Sequence, residues 1–275
     1  MEQDIRYNQP IIRYQGGQLI EMTDDYVTEF PLTVNVNAHE FATVICSPNH
    51  IEELILGFLA SEGVIMKRDD LLQLELDEQR GYAYVKINKD IQQLNYLSTK
   101  RLVASCCGKS REFYFQNDAA IAKTSMTTIR VTPQQILHMM AQLQAHSETF
   151  KATGGLHNAA ISDGKDFYVH RQDIGRHNAL DKLYGYCIQR HISVRNKILI
   201  FSGRISSEIL IKAAKIGVGI IISKSAPTTL AVQLAKDLNI TAVGFVREDR
   251  FNIYSHPERV TDTSSSRTYN NKTAQ

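Results

Sequence analysis

The chain lacks the features that would place it in a membrane, outside the cell or on nucleic acid. No apolar run reaches the roughly 18 residues that a spanning helix requires. The longest are residues 54–60 and 216–222, which suit a buried helix and a buried strand. The opening MEQDIRYNQP has no basic flank leading into an apolar segment, so no secretory signal is expected and the cytoplasm is the expected compartment. Cysteine is scarce: Cys46, Cys106, Cys107 and Cys187 are the only four. In a reducing compartment these are thiols and not structural disulfides. An excess of one charge is also missing. With 31 Lys and Arg against 29 Asp and Glu, the net charge is +2, too near neutral to imply a nucleic-acid partner. Any anion site must be local, built from placed cations and backbone N–H groups.

Several catalytic signatures are missing too. Gly108-Lys109-Ser110 looks like the end of a phosphate-binding P-loop, but the position that should hold its first glycine is Val103. His146-Ser147-Glu148 fits half of a zinc-deaminase signature, yet no P-C-x-x-C follows. His157, His170 and His177 lack metal-ligand spacing on one element, so no metal site is expected. There is no G-x-S-x-G elbow and no internal repeat.

What is present is a globular composition, 43% hydrophobic and 22% charged over 275 residues, enough for one large domain or two modest ones. Residues 1–20 read as an irregular arm. Strands are expected at 32–36, 40–45, 72–76 and 82–87, with a helix over 51–62. That helix has Glu52 and Glu53 in its first turn and Gly63 beyond its end. A helix over 133–143 ends this half. In the second half, strands at 156–162 and 166–171 flank an Asp163-Gly164 turn. Helices at 178–190, 206–215 and 227–238 then alternate with strands at 197–201, 219–223, 241–246 and 250–254. This rhythm predicts helices covering a largely parallel sheet. The expected class is α/β, with an α+β N-terminal domain over 1–130, an α/β domain over 150–258 and a disordered tail over 261–275.

Cys106-Cys107-Gly108-Lys109-Ser110 is the first candidate for chemistry. Arg101, Lys109 and Arg111 would favour a thiolate, and Gly108 removes bulk beside Cys107. Two buried small hydrophobes fit the same residues, and the pattern leaves both readings open. Three strand-to-helix loops follow. Residues 171–178 carry Arg176 and His177 with Asp173 beside them, residues 201–208 carry Arg204, and residues 223–229 carry Lys224. Ligands of α/β sheets bind outside the carboxyl ends of strands, and arginine suits phosphate. The recurrence predicts one anion-binding rim, suited to nucleotide phosphates. Phe245, Val246, Arg247, Glu248, Asp249 and Arg250 follow the next strand and would complete it. His157, after the Gly154-Gly155 pair, is a further candidate donor, although a satisfied histidine beside a turn is the favoured reading of that residue alone.

Taken in order, these segments resemble the formate dehydrogenase accessory sulfurtransferases, the FdhD/NarQ family. The resemblance begins at Thr28-Glu29-Phe30-Pro31-Leu32 and the Glu52-Glu53-Leu54 to Glu62-Gly63 helix. It continues through the Cys-Gly loop, residues 153–158, 173–180, 202–208 and 223–227, and ends with 244–254. It implies a sulfur carrier that accepts sulfur from a cysteine desulfurase as a cysteine persulfide. The sulfur is passed to the molybdenum bis(molybdopterin guanine dinucleotide) cofactor before that cofactor enters formate dehydrogenase. It also implies a cytidine-deaminase-like three-layer C-terminal domain without the zinc site, a homodimer, and binding of guanine nucleotide such as GDP. Many members carry C-x-x-C where this chain has an adjacent pair, with Ala104 at the first position. Cys107 is the favoured persulfide carrier because of Gly108, and Cys106 is the alternative. The competing classes are a cofactor-binding chaperone with structural cysteines and an enzyme acting on a free nucleotide.

Overall fold

The computed structural model describes residues 4–89, 102–103, 122 and 124–261. Cys106 and Cys107 lie outside the described residues. The irregular arm expected over residues 1–20 is instead regular from Arg6 onward. Strands β1 (Arg6–Gln15) and β2 (Gln18–Val27) form an antiparallel ribbon. The turn is Gly16-Gly17, both with positive φ (61° and 85°), as a two-residue primed turn demands. The ribbon has no clean alternation because neither face packs on a core.

The five strands that follow make the first sheet. They are β3 (Phe30–Val36), β4 (His39–Cys46), β5 (Leu71–Asp77), β6 (Tyr82–Ile87) and a short β7 (Leu102–Val103). Their order is β5-β6-β3-β4-β7, with β3 parallel to β6 and β4 parallel to β7. Phe30, Leu32, Val34 and Val36 alternate onto the buried face, as strand periodicity requires. Helix α1 (Ile51–Ser61) packs in the same core cluster as that face. All its residues but Glu52 are buried, because it is pressed between this sheet and a helix of the second unit.

The second unit starts with α2 (Pro133–Ala145), whose start is set by a Thr132/Gln135 capping box, and α3 (Glu148–Thr153). Then come β8 (His157–Ser162), β9 (Phe167–Asp173), α4 (Arg176–Gln189), β10 (Ile198–Phe201) and α5 (Ser207–Ile216). The chain continues through β11 (Ile220–Ser223), α6 (Thr229–Asp237), β12 (Thr241–Gly244) and β13 (Asn252–Ile253). The sheet order is β13-β12-β11-β10-β8-β9. β10, β11 and β12 are parallel, while β8 and β13 run antiparallel to their neighbours. Helices α4, α5 and α6 cover one face and α2 the other, which makes three layers. Residues 125–131 pack on this unit: the Ser125 N–H donates to the Leu238 carbonyl and the Val131 N–H to the Arg259 carbonyl. Thr261 is still anchored, its N–H donating to the Val131 carbonyl, and residues 262–275 lie outside the described part.

The two units are locked together where α1 crosses α4. A Cβ on Gly57 would stand 1.8 Å from the Asp181 carbonyl oxygen, and one on Gly185 would stand 1.8 Å from that of Glu53. Only glycine permits backbones so close. Beside this crossing, Arg171 grips Glu53 with two N–H donors, one at 2.7 Å, and Ser61 donates to Asp181 at 2.6 Å. Both Lys212 contacts to Asp181 are also 2.6 Å.

Candidate functional site

Strand directions bring five segments to one edge of the second sheet. β10, β11 and β12 end there. β8 begins there, since it runs antiparallel to β10, and β9 ends there with Asp173 opposite His157. Hydrogen bonds stitch each loop to the next. The Asn158 N–H donates to Ser202 Oγ (2.9 Å), Ser225 Oγ donates to the Ser202 carbonyl (3.0 Å) and Ser223 Oγ to the Gly203 carbonyl (2.6 Å). The Phe245 N–H donates to the Ser225 carbonyl (3.2 Å). The hydroxyl residues of these loops thus shape a continuous rim. Ser206 and Thr228 cap α5 and α6 by accepting from Ile209 and Ala231.

The candidate residues occupy this rim unequally. Arg204, Lys224 and Arg250 are exposed, with no ion pair among the described residues. Arg176 and His177 turn toward Glu208 on α5, whose carboxylate lies 3.8 Å and 3.2 Å from them, so a bound anion would compete with it. Arg247 is occupied structurally: its Nη1 donates to the carbonyls of Lys224 (2.6 Å) and Val246 (2.9 Å). Val246 is wholly buried, and Glu248 and Asp249 are exposed acids. Phe245 stands out into solvent at positive φ (53°), an uncommon conformation for a bulky residue. His157 is half-buried, its ring 6.3 Å from that of Phe201. Burial, then the charge of Arg176, holds its imidazole below the ordinary pKa, so it faces the rim neutral. Gly203 leaves it that space, since a Cβ there would meet His157 Nδ1 at 3.3 Å and Phe201 at 2.8 Å.

Asp173, expected beside Arg176 and His177, lies beneath the rim and is fully buried. It pairs with Lys182 at 2.7 Å, both side chains wholly inaccessible. Asp173 also accepts from the N–H groups of Ser47 (3.0 Å) and Gly175 (2.8 Å) and from Asn178 Nδ2 (2.9 Å). Lys182 donates to Asn49 Oδ1 (2.8 Å) and the Ser47 carbonyl (3.2 Å). This buried cluster ties the β4–α1 turn of the first unit to the α4 entry of the rim. Lys182 was not singled out from sequence. Its one available signal is a lysine four residues after Asn178, on a helix face that also carries Leu183 and Ala179.

The two described cysteines are sealed. Cys46 is fully buried and donates to the Phe30 carbonyl, and burial, then the nearby Asp173 carboxylate, pushes its thiol far up. Burial, then Glu53, pushes Cys187 up to about 11. Neither is a thiolate near neutral pH, so neither is a ready nucleophile. No group of His, Cys, Asp and Glu that could hold a metal occurs among the described residues. Nor does any helix among them have the length and apolarity to cross a membrane.

An α/β unit with a loop-built, partly cationic rim, bolted to an α+β unit, with the described thiol of each sealed and inert, defines the class of protein. The chain belongs to the FdhD/NarQ family, whose model matches residues 27–261. It is 69% identical over 263 residues to proteins of Staphylococcus aureus strains MRSA252 and NCTC 8325, each named sulfur carrier protein FdhD. Those matches cover 96% of this chain and 99% of theirs. It also shares its fold with a crystal structure from Desulfotalea psychrophila, described as a formate dehydrogenase accessory protein. There the TM-score is 0.76 at 23% identity, over 94% of this chain and 100% of that one.

Proposed function

We propose that this protein is a cytoplasmic sulfur carrier in the maturation of formate dehydrogenase, loaded on Cys107 with Cys106 as the alternative. A thiolate there attacks the outer sulfur of a persulfide on a cysteine desulfurase. The donor's S–S bond breaks, the donor cysteine leaves as thiolate, and the carrier becomes the persulfide, with no net oxidation. The sulfur is destined for the molybdenum bis(molybdopterin guanine dinucleotide) cofactor, bound as cargo and then handed to the dehydrogenase. Arg204, Lys224 and Arg250 would receive its phosphates, and Phe245 offers an aromatic face to the guanine. GDP is the simple analogue for that half of the site, and two copies of the chain act together.

The observation that supports this reading is the sealing of Cys46 and Cys187, which removes those two from consideration and keeps Cys106 and Cys107, outside the described residues, as the candidates. Connectivity supports it as well. β7 pairs with β4 at Val103 and Val44, and β4 runs on to Ser47, which is bonded to Asp173 under the rim. Cys107 follows Val103 by four residues, a tether of at most about 14 Å. The test is incubation with a cysteine desulfurase and cysteine, then peptide mass spectrometry. The expected result is a reducible adduct of about 32 Da on Cys107, lost in Cys107→Ala while GDP binding persists. An adduct on Cys106 would move the residue and keep the function. No adduct on either, with folded protein and active donor, would leave a cofactor-binding chaperone.

A further inference from the structure

The cations of the rim fall into two sets. Arg204, Lys224 and Arg250 are open to solvent with no ion pair among the described residues. Arg176 and His177, in the first turn of α4, already face an acid. The carboxylate of Glu208, in the first turn of α5, stands 3.8 Å from the Arg176 guanidinium and 3.2 Å from His177 Nε2. These three side chains are 13 to 24% exposed, so a ligand on the rim can reach them. The two sets adjoin, because Arg204 and Glu208 belong to one loop and lie four residues apart, at most about 14 Å along the chain.

The Arg176–Glu208 contact is unlike the arginine contacts that hold the fold. Arg171 grips Glu53 with two N–H donors, and Arg247 spends its Nη1 on two carbonyls. Arg176 meets its carboxylate only at 3.8 Å, beyond the roughly 2.7–2.9 Å of a charge-assisted hydrogen bond. The one hydrogen bond of its side chain among the described residues is a long one, from Nε to His177 Nε2 at 3.5 Å. A partly exposed ion pair of this length adds little to stability. Its planar fork, the feature that suits arginine to phosphate, is therefore still unspent.

The backbone under this contact is fixed on both sides. At the α4 entry, the Gly175 N–H donates to Asp173 (2.8 Å), the Ile174 N–H to Ser47 Oγ (3.1 Å) and Asn178 Nδ2 to the Ile45 carbonyl (2.8 Å). At the α5 entry, Ser206 caps the helix. Only side chains need move for Glu208 to leave, which keeps the cost of an exchange low. A ligand with one phosphate is received by Arg204, Lys224 and Arg250 and leaves Glu208 where it is. A second phosphate on the same ligand brings more negative charge than a carboxylate and two oxygens for the arginine fork. It can take the place of Glu208, whose side chain then turns to solvent.

We infer that Arg176 and His177 form a second anion subsite of the rim, held by Glu208 while the rim is empty and opened only by a ligand that carries more than one phosphate. The inference rests on the rim as the phosphate-binding surface proposed above and makes Glu208 the residue that sets its selectivity. Titration calorimetry of the full chain with GDP and GMP tests it. Glu208→Gln keeps the shape of the side chain and removes its charge. It should tighten GDP binding about tenfold and GMP binding by less than about twofold. In an Arg176→Ala background the same substitution should bring less than about a twofold gain for GDP, because the cation it uncovers is gone. An equal gain for GMP and GDP would mean that Glu208 acts only through the general field of the rim, and the subsite would be overturned. A gain that survives Arg176→Ala would overturn it for the same reason. So would unchanged or weaker GDP binding in Glu208→Gln and Glu208→Ala, both with the circular dichroism spectrum of the wild type. Those results leave the rim standing if Lys224→Ala still weakens GDP binding. Wild-type protein that binds no GDP would overturn rim and subsite together.

Discussion

Replacing Gly57 or Gly185 by alanine tests whether the α1–α4 crossing holds the two units as one body. On helix propensity alone, each change should stabilise the protein by about 0.8–1.0 kcal/mol, because glycine is a poor helix former. The tertiary contact opposes this. The new methyl would stand 1.8 Å from a carbonyl oxygen, while ordinary contact starts at 3.4 Å, so the axes must part by 1.6 Å (3.4 − 1.8). A gap of 0.5–1 Å already forfeits roughly a quarter to a half of the local dispersion attraction. Overpacking of this kind costs about 1–3 kcal/mol, occasionally more. Parting the helices also stretches the Arg171–Glu53 and Ser61–Asp181 bonds beside the crossing. The expected net effect is destabilisation by about 2 kcal/mol for either variant. The chain has no tryptophan, so urea unfolding is best followed by far-ultraviolet circular dichroism. The double variant should cost less than the sum, since helices parted by the first methyl already accommodate the second. Stabilisation by about 1 kcal/mol in either single variant would mean that the backbones are not in close contact, and the rigid-body argument would fail.

Lys182→Met leaves Asp173 buried without its cation and should cost about 3–5 kcal/mol. Adding Asp173→Asn should recover part of that in the same unfolding assay, and no recovery would mean the pair does not act as a unit. His170, held to about 4 by burial and then by His146, stays neutral in the fold while the unfolded chain takes up a proton near pH 6.5. Its contribution is therefore complete above pH 6.5 and is lost as pH falls toward 4, by on the order of 3 kcal/mol. His170→Gln should flatten the stability–pH curve in that window, and an unchanged slope would assign it to other groups. Arg204→Ala and Lys224→Ala should each weaken GDP binding about tenfold by calorimetry without altering sulfur loading. Equal affinity in both variants would move the phosphates off this rim.

Much of the second unit is legible because its signals are local. Short runs of apolar residues of strand length mark β8 and β10 to β12, and serine or threonine caps mark the entries of α5 and α6. Those entries coincide with the loops that carry Arg204 and Lys224, so much of the candidate rim could be drawn before its strands were ordered. The ribbon was misread because its apolar residues face water on both sides and obey no single period, although Gly16-Gly17 is a turn signal. Asp173 was read as standing beside Arg176 and His177, because nothing within its own loop reveals Lys182 and Ser47 closing over it.

Residue order alone was enough for the class, the alternation of strand and helix, the adjacent Cys106-Cys107 pair and the loops bearing cations. Each of these depends on residues a few positions apart. The folded chain was needed to learn which loops share an edge, which cysteines are sealed, and that Arg247 is spent on carbonyls while Arg204 stays open. Folding also brought Ser47 to Asp173, 126 residues away, and Gly57 against the backbone of Asp181. The cause of this division is that burial and desolvation are set by what the fold brings from afar, and these, more than residue type, decide whether a thiol is inert or a charge is free to bind.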